Sequence, residues 1–287
     1  MKKLLILSGK GGTGKTTTAS SFIRFHDAQV FADCDVDAPN LHLVQKLRGE
    51  PEVSDFIGSE KSHIDPEKCL GCGKCYEHCR FGAIRNVGDK YEVNEFACEG
   101  CGVCQYVCPC DAVTMAEDVA GGLTLYKEGK VFSTAKLKMG RGNSGKLVTQ
   151  VKTNMVSACH DADLAIIDGS PGIGCPVIAS VTGVDLVLIV AEPSQSGMSD
   201  LQRILRTAEI LHAPTAVCIN KYDVSPEMTE AIEDFCKKQD IPLVGRVPYD
   251  KAVAQAVNAG HPIAEVDCPA RDALLEAYHN TMSLMDL

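Results

Sequence analysis

The run Gly9-Lys10-Gly11-Gly12-Thr13-Gly14-Lys15-Thr16 stands between an apolar stretch, Leu4 to Leu7, and a helical pattern from Thr17 to Phe25. That placement constrains the fold more than any other feature of the chain. A glycine-rich turn ending in Lys-Thr, with a buried strand before it and a helix after it, is a P-loop. Its glycines let consecutive backbone N–H groups turn toward phosphate oxygens, and the helix N-terminus adds positive potential. Gly11, Gly12, Thr13, Gly14, Lys15, Thr16 and Thr17 are the expected phosphate contacts, with Lys15 reaching the β- and γ-phosphates and the Thr16 hydroxyl on Mg²⁺.

Further short apolar runs follow, at Val30 to Ala32, Leu164 to Ile167, Leu186 to Val190, Ala216 to Ile219 and Leu243 to Val247, each succeeded by a turn and then a helical pattern. Near-continuous apolar strands alternating with helices predict an α/β fold, a parallel sheet covered by helices on both faces. Between about Glu60 and Asp118 the rhythm stops, and eight of the 15 cysteines fall in that stretch. It reads as a small α+β insertion, residues 60–118, in a nucleotide-binding domain made of 1–59 and 119–287. After it, Leu123 to Tyr126 and Lys130 to Ala135 predict a hairpin, and Leu147, Val151 and Met155 mark a helix.

Cys69, Cys72, Cys75 and Cys79, then Cys98, Cys101, Cys104 and Cys108, are two copies of a C-x2-C-x2-C-x3-C run. Three thiolates spaced by two residues reach successive corners of one cubane, and the fourth cysteine of each run ligates the other cluster. One [4Fe-4S] cluster is therefore expected on Cys69, Cys72, Cys75 and Cys108, and a second on Cys98, Cys101, Cys104 and Cys79. Zinc also takes paired C-x2-C, but four ligands suffice for it and the duplicated third and fourth cysteines go unexplained. The insertion resembles a bacterial-type two-cluster ferredoxin, except that Arg80 replaces the proline that usually follows the fourth cysteine, whereas Pro109 keeps it. Of the other seven cysteines, Cys110 is read as a bystander, with ligand exchange as its lesser alternative, and most of the rest as small core hydrophobes; Cys34 and Cys175 stand nearest to functional loops.

Lys10-Gly11-Gly12-Thr13-Gly14-Lys15-Thr16-Thr17 resembles the deviant P-loop of the MinD/ParA/Mrp proteins, the CobQ/CobB/MinD/ParA nucleotide-binding superfamily, which includes the nitrogenase iron protein. The resemblance implies that Lys10 reaches across an ATP-bound homodimer to the partner's phosphates, the part an arginine finger plays elsewhere. Ala32 to Leu41 looks like switch I, with Asp35 orienting the attacking water. Asp33, Asp35 and Asp37, spaced by two along an extended segment, are expected to point to one side. Leu164 to Asp168 has the Walker B form, Asp168 holding Mg²⁺ through water, and Gly169 to Gly174 resembles switch II. Asn220 of Asn220-Lys221-Tyr222-Asp223 corresponds to the residue that hydrogen-bonds adenine, and Pro248 lies where relatives wrap the base through backbone. The same tetrapeptide marks guanine binding in GTPases, so the choice of ATP rests on the P-loop. The C-terminal Cys-x-x-Cys of Mrp-type carriers is absent, since Cys268 stands alone before Pro269.

With 28 basic and 38 acidic residues the net charge is -10, and no window is basic enough to track a nucleic-acid backbone. No apolar run reaches about 18 residues, so no membrane span is expected. The final helical pattern, Ala270 to Leu287, carries Leu274, Tyr278, Met282 and Met285 on one stripe with Arg271 as its only firm cation, which predicts core packing rather than a membrane surface. An odd cysteine count fits thiolate ligands in a reducing cytoplasm rather than a disulfide framework. The sequence thus predicts a cytoplasmic iron-sulfur ATPase that dimerises on ATP and gates electron transfer or metallocluster handling with a protein partner. A cluster-assembly or metal-delivery scaffold is the first alternative. A MinD-like positioning ATPase with structural clusters is the second.

Overall fold

All six apolar runs become strands because each is too apolar to face water and too short to bury itself as a helix. The computed structural model describes residues 1–159 and 161–287. Thirteen strands are assigned: β1 (Lys2–Leu7), β2 (Val30–Asp33), β3 (Glu52–Ile57), β4 (Lys61–Ile64), β5 (Ile84–Val87), β6 (Lys90–Val93), β7 (Val113–Ala116), β8 (Val119–Tyr126), β9 (Val131–Leu137), β10 (Leu164–Asp168), β11 (Leu186–Ala191), β12 (Thr215–Asn220) and β13 (Leu243–Val247). The helices are α1 (Lys15–His26), α2 (Lys74–Glu77), α3 (Val103–Tyr106), α4 (Ser144–Ala158), α5 (Cys175–Val181), α6 (Gln195–Ile210), α7 (Pro226–Lys238), α8 (Lys251–Asn258) and α9 (Pro269–Leu284).

The main sheet has nine strands in the order β13-β12-β11-β1-β10-β2-β9-β8-β3. From β13 to β9 every neighbouring pair is parallel. With β1 central between β10 and β11, the chain reverses its direction of growth there, and the crevice beyond the carboxyl ends of these strands is where an open α/β sheet binds its ligand. The sequence pattern missed β3, which carries a single apolar alternation and lies at the sheet edge. The 123–135 segment does give two adjacent strands, β8 and β9, linked by the turn at 127–130.

The chain forms two compact units, one of residues 1–53, 123–136 and 144–287, the other of 54–122 and 137–143. The second begins earlier than the cysteine-rich stretch and adds a segment remote in sequence. Arg141 shows why that segment belongs with it: its guanidinium pairs with Glu95 and Asp118, each at 3.1 Å, and lies 5.1 Å over the Phe96 ring. Within this unit β4 pairs with β7 and β5 with β6, both antiparallel.

In the first unit α9 packs on α1. Leu274, Met282 and Met285 are buried, and Tyr278 meets Phe22 edge-on at 5.4 Å while its hydroxyl bonds His26 Nδ1 at 2.9 Å. The apolar stripe of the last helix is therefore core, and no helix among the described residues is long and apolar enough to cross a membrane. Phe22 is fully buried in this cluster. Phe22→Ala is expected to cost about 3–5 kcal/mol, read as a lowered denaturation midpoint in urea.

Candidate functional site

The carboxyl ends of β1, β10 and β2 bring three of the expected site groups together in the first unit. The P-loop leaves β1 at Leu7 and closes on α1, whose first residue is Lys15. Lys15 Nζ pairs with Asp168 Oδ1 at 2.5 Å, and both side chains are buried, 6% and 0% exposed. Burial works against the Lys15 charge, but the carboxylates of Asp168, Asp33 and Asp35 outweigh it and hold the ammonium above its ordinary range. Asp168 Oδ2 is buried with no hydrogen-bond partner. An orphan carboxylate oxygen beside a P-loop threonine suits a Mg²⁺-bound water, so Thr16 and Asp168 fit the ion expected there.

Above this pair opens a cleft, its lining including Lys10, Gly11, Gly12, Gly14, Lys15, Thr16, Thr17, Asp35 and Asp37. Ser170 and Pro171 of the loop after β10 close it on one side. Thr13 is buried and does not line the cleft. Its carbonyl instead accepts from Asn220 Nδ2 at 2.7 Å, while Lys221 Nζ donates to Gly12 O at 3.0 Å. Gly14 is required in this arrangement: it has φ +98°, and a Cβ there would stand 2.2 Å from Asn220 Nδ2. Asn220 and Lys221 thus brace the P-loop from behind, a contact the tetrapeptide alone did not foretell. Pro248 follows β13 outside the cleft lining, next to Tyr249, whose N–H donates to Asp223 Oδ1 at 2.7 Å.

Asp35 and Asp37 both line the cleft, as their spacing predicts, but Asp33 does not join them there. The chain leaves β2 at Asp33 and turns, with the Ala38 N–H donating to Asp35 O at 3.1 Å, so the two-residue period ends. Asp33 is fully buried and accepts from the N–H groups of Asp35, Asn40 and Leu41 at 3.0, 2.9 and 2.9 Å. It pins the loop that carries Asp35, which is half-buried in the cleft, and Asp37, which is exposed. Burial, then repulsion from Asp168, pushes the Asp33 carboxyl up to about 7. Cys34 is fully buried with its thiol pushed well up by burial, and its carbonyl accepts from Ser170 Oγ at 2.6 Å, so it is a core residue tying the two loops together. Cys175 is exposed as the first residue of α5.

Three residues not singled out in the sequence, Glu192, Ser196 and Lys152, hold a group of this site or the helix beyond it. Lys10 Nζ contacts Glu192 Oε1 at 3.5 Å and Ser196 Oγ at 3.3 Å, so its charge is held within its own chain. Lys152 Nζ donates to the carbonyls of Ala179, Ser180 and Thr182 at 2.9, 2.7 and 2.6 Å, capping the helix that follows the loop after β10. Glu192 follows an apolar strand, as Asp168 ends one, and that position was the available signal.

In the second unit the eight patterned cysteines divide between two cavities. One is lined by Cys79, Cys98, Cys101 and Cys104. The other is lined by Cys69, Cys72, Cys75 and Cys108, with Cys110 beside them. Each set takes three thiols from one run and the fourth from the other. The exchange is built into the backbone: Lys61 Nζ donates to the Cys98 carbonyl and Lys90 Nζ to that of Cys69. A Cβ on Gly71 would meet Asp89 O at 2.4 Å, and one on Gly100 would meet Glu60 O at 2.2 Å, so each run is clamped against the strand of the other. Among the described residues no three His, Cys, Asp or Glu side chains converge on a single ion. The thiols instead line the walls of a cavity, the donor arrangement that suits a polynuclear cluster.

Asp33 gives a pH signature. In an unfolded chain an aspartate titrates near 4. Since folding raises Asp33 to about 7, the native state binds the extra proton between those values, and stability of the nucleotide-free protein falls as pH rises from about 4 to about 7. Denaturation at a series of pH values checks this. Asp33→Asn flattens the fall, and a variant profile parallel to that of the wild type refutes it.

Residues 4–263 match the CobQ/CobB/MinD/ParA nucleotide binding domain. The uncharacterized protein MJ0578 of Methanocaldococcus jannaschii is 35% identical over 222 residues, covering 76% of this chain and 78% of its own. An iron-sulfur cluster carrier protein of Pyrococcus abyssi is 23% identical over 292 residues, covering 96% of this chain and 83% of its own. Among solved structures, the septum site-determining protein MinD of Pyrococcus horikoshii, complexed with Mg-ADP, aligns with TM-score 0.58 at 17% identity over 99% of this chain and 97% of that one. The chain belongs to the CobQ/CobB/MinD/ParA nucleotide-binding family.

Proposed function

We propose that the protein binds and hydrolyses ATP at the P-loop cleft, holds two [4Fe-4S] clusters in the thiol-lined cavities, and uses ATP-dependent dimerisation to gate electron transfer or metallocluster handling with a protein partner. The observation that carries the reading is the division of the eight patterned cysteines, four and four, between two cavities, each set completed by the other run. A cluster ligated there supplies one-electron chemistry.

This chain's residues divide the ATPase work by position. Backbone N–H groups from Gly11 to Thr16 hold phosphate oxygens, and Lys15 leaves Asp168 to neutralise the β- and γ-phosphates. That exchange frees Asp168, together with Thr16, to hold Mg²⁺. Asp35, half-buried at the cleft wall, orients a water against the γ-phosphate. Lys10 exchanges its own Glu192 for the phosphates bound by a second copy, so ATP is completed only in the dimer. Asn220 and Lys221 keep the P-loop braced while Asn220, with Pro248, faces the adenine side.

Lys15→Ala is expected to abolish ATP binding. Asp35→Ala keeps binding but lowers turnover on the order of 100-fold or more. Lys10→Ala binds ATP and stays monomeric by light scattering, whereas the wild type dimerises with ATP. Dimerisation of the Lys10 variant equal to that of the wild type refutes its action in trans.

Gating has its own measurement. Under anaerobic conditions ATP is expected to change the rate at which the wild-type clusters are reduced, and to leave Lys15→Ala unchanged. Equal rates with and without ATP in the wild type exclude gating. The similarity to an iron-sulfur cluster carrier supports a second reading, in which a cluster is passed to an acceptor. Incubation with an apo-ferredoxin separates the two, because retention of all iron excludes delivery.

A further inference from the structure

The two cysteine runs repeat in the spacing of their cysteines and glycines, and their backbones repeat too. Gly71 and Gly100 have φ +70° and +69°, Gly73 and Gly102 +79° and +73°, and Gly82 and Asp111 +60° and +51°. Two residues past the fourth cysteine the first run has Phe81 and the second Cys110. Phe81 lines the cavity of Cys79, Cys98, Cys101 and Cys104, and Cys110 lines that of Cys69, Cys72, Cys75 and Cys108. The same position thus faces a cavity in both halves. Only in the second half is it a thiol, so one cavity has four thiols and the other five.

The fifth thiol is placed against one ligand in particular. Cys110 Sγ lies 3.7 Å from Cys108 Sγ. That is well beyond a disulfide bond length of about 2.05 Å, yet close enough for both sulfurs to serve the same corner of a cavity-filling group. Cys110 is half-buried and packs with the apolar cluster of Ile64, Ala112 and Val113 beneath the cavity. The left-handed Asp111 that follows it is a conformation a non-glycine residue adopts at a cost of about 1–2 kcal/mol. The turn therefore holds a shape that Gly82 adopts without strain in the other half.

We propose that Cys110 is a second ligand for the iron corner assigned to Cys108, which makes that corner exchangeable between two thiols of this chain. The proposal rests on the cluster reading above. In the exchange, Cys110 loses its thiol proton as its sulfur bonds iron, and the Cys108 sulfur leaves iron and takes up a proton. No electron moves and the net charge is unchanged. The cavity of Cys98 has Phe81 at that place and no such reserve.

The test is iron and acid-labile sulfide per chain in the full-length protein purified anaerobically, with electron paramagnetic resonance after reduction. Cys108→Ala and Cys110→Ala are each expected to keep the wild-type iron and sulfide, and the double variant to lose about half of both, one cluster of two. Cys75→Ala, without a reserve, loses about half by itself. The proposal is overturned if Cys108→Ala already loses as much as the double variant, or if the double variant loses nothing. A wild type without iron overturns the cluster reading as well, whereas a fully loaded wild type with a depleted Cys108→Ala overturns the role of Cys110 alone. If Cys108→Ala does not accumulate as folded protein, iodoacetamide treatment of the loaded wild type followed by peptide mapping decides. Label on either Cys108 or Cys110, one per chain and with iron retained, supports exchange; label confined to Cys110 overturns it.

Discussion

The buried pair of Lys15 and Asp168, joined at 2.5 Å, is the interaction around which the first unit is arranged. Removing two charges from water is expensive, and their attraction repays it only with good geometry and further partners. The sheet supplies that geometry by placing β10 and β1 side by side, so that the last residue of one strand meets the first residue of the helix that follows the other. A third acid, Asp33, ends the adjacent strand β2 and accepts from three backbone N–H groups. The loops that flank the cleft are fixed to these buried groups, and Asp168 Oδ2 is buried without a hydrogen-bond partner.

Both lysines of the loop are held by acids of the same chain, Lys15 by Asp168 and Lys10 by Glu192. Ser170 on the carbonyl of Cys34 joins the loop after β10 to the loop after β2, and Lys152 caps the helix downstream.

The second unit solves a different problem. Few of its residues are apolar enough to make a core, and its buried cluster is largely the cysteines themselves with Ile64, Ile84, Ala112 and Val113. Duplication gives each half the other's support: a lysine on the first cysteine's carbonyl, a backbone oxygen where a side chain would clash, and a fourth thiol across the repeat.

The six core strands, the P-loop, the terminal helix and the two cysteine runs were legible in the chain because each is a local pattern, a period or a spacing fixed by backbone geometry. Non-local facts were not. The period-two reading of Asp33, Asp35 and Asp37 failed at Asp33 because the strand stops there, and where a strand stops depends on its neighbours in the sheet. Asn220 behind Gly14, Glu192 beside Lys10, and Arg141 tying 137–143 to residues around Glu95 all join positions far apart in sequence, and no spacing encodes them. Sequence alone determined which chemistry the chain carries, since phosphate loops and thiol runs need particular residues at particular intervals. Tertiary structure decided which of those groups meet: that the thiols sort crosswise between two cavities, that one cavity has a fifth, and that a buried acid rather than water holds Lys15.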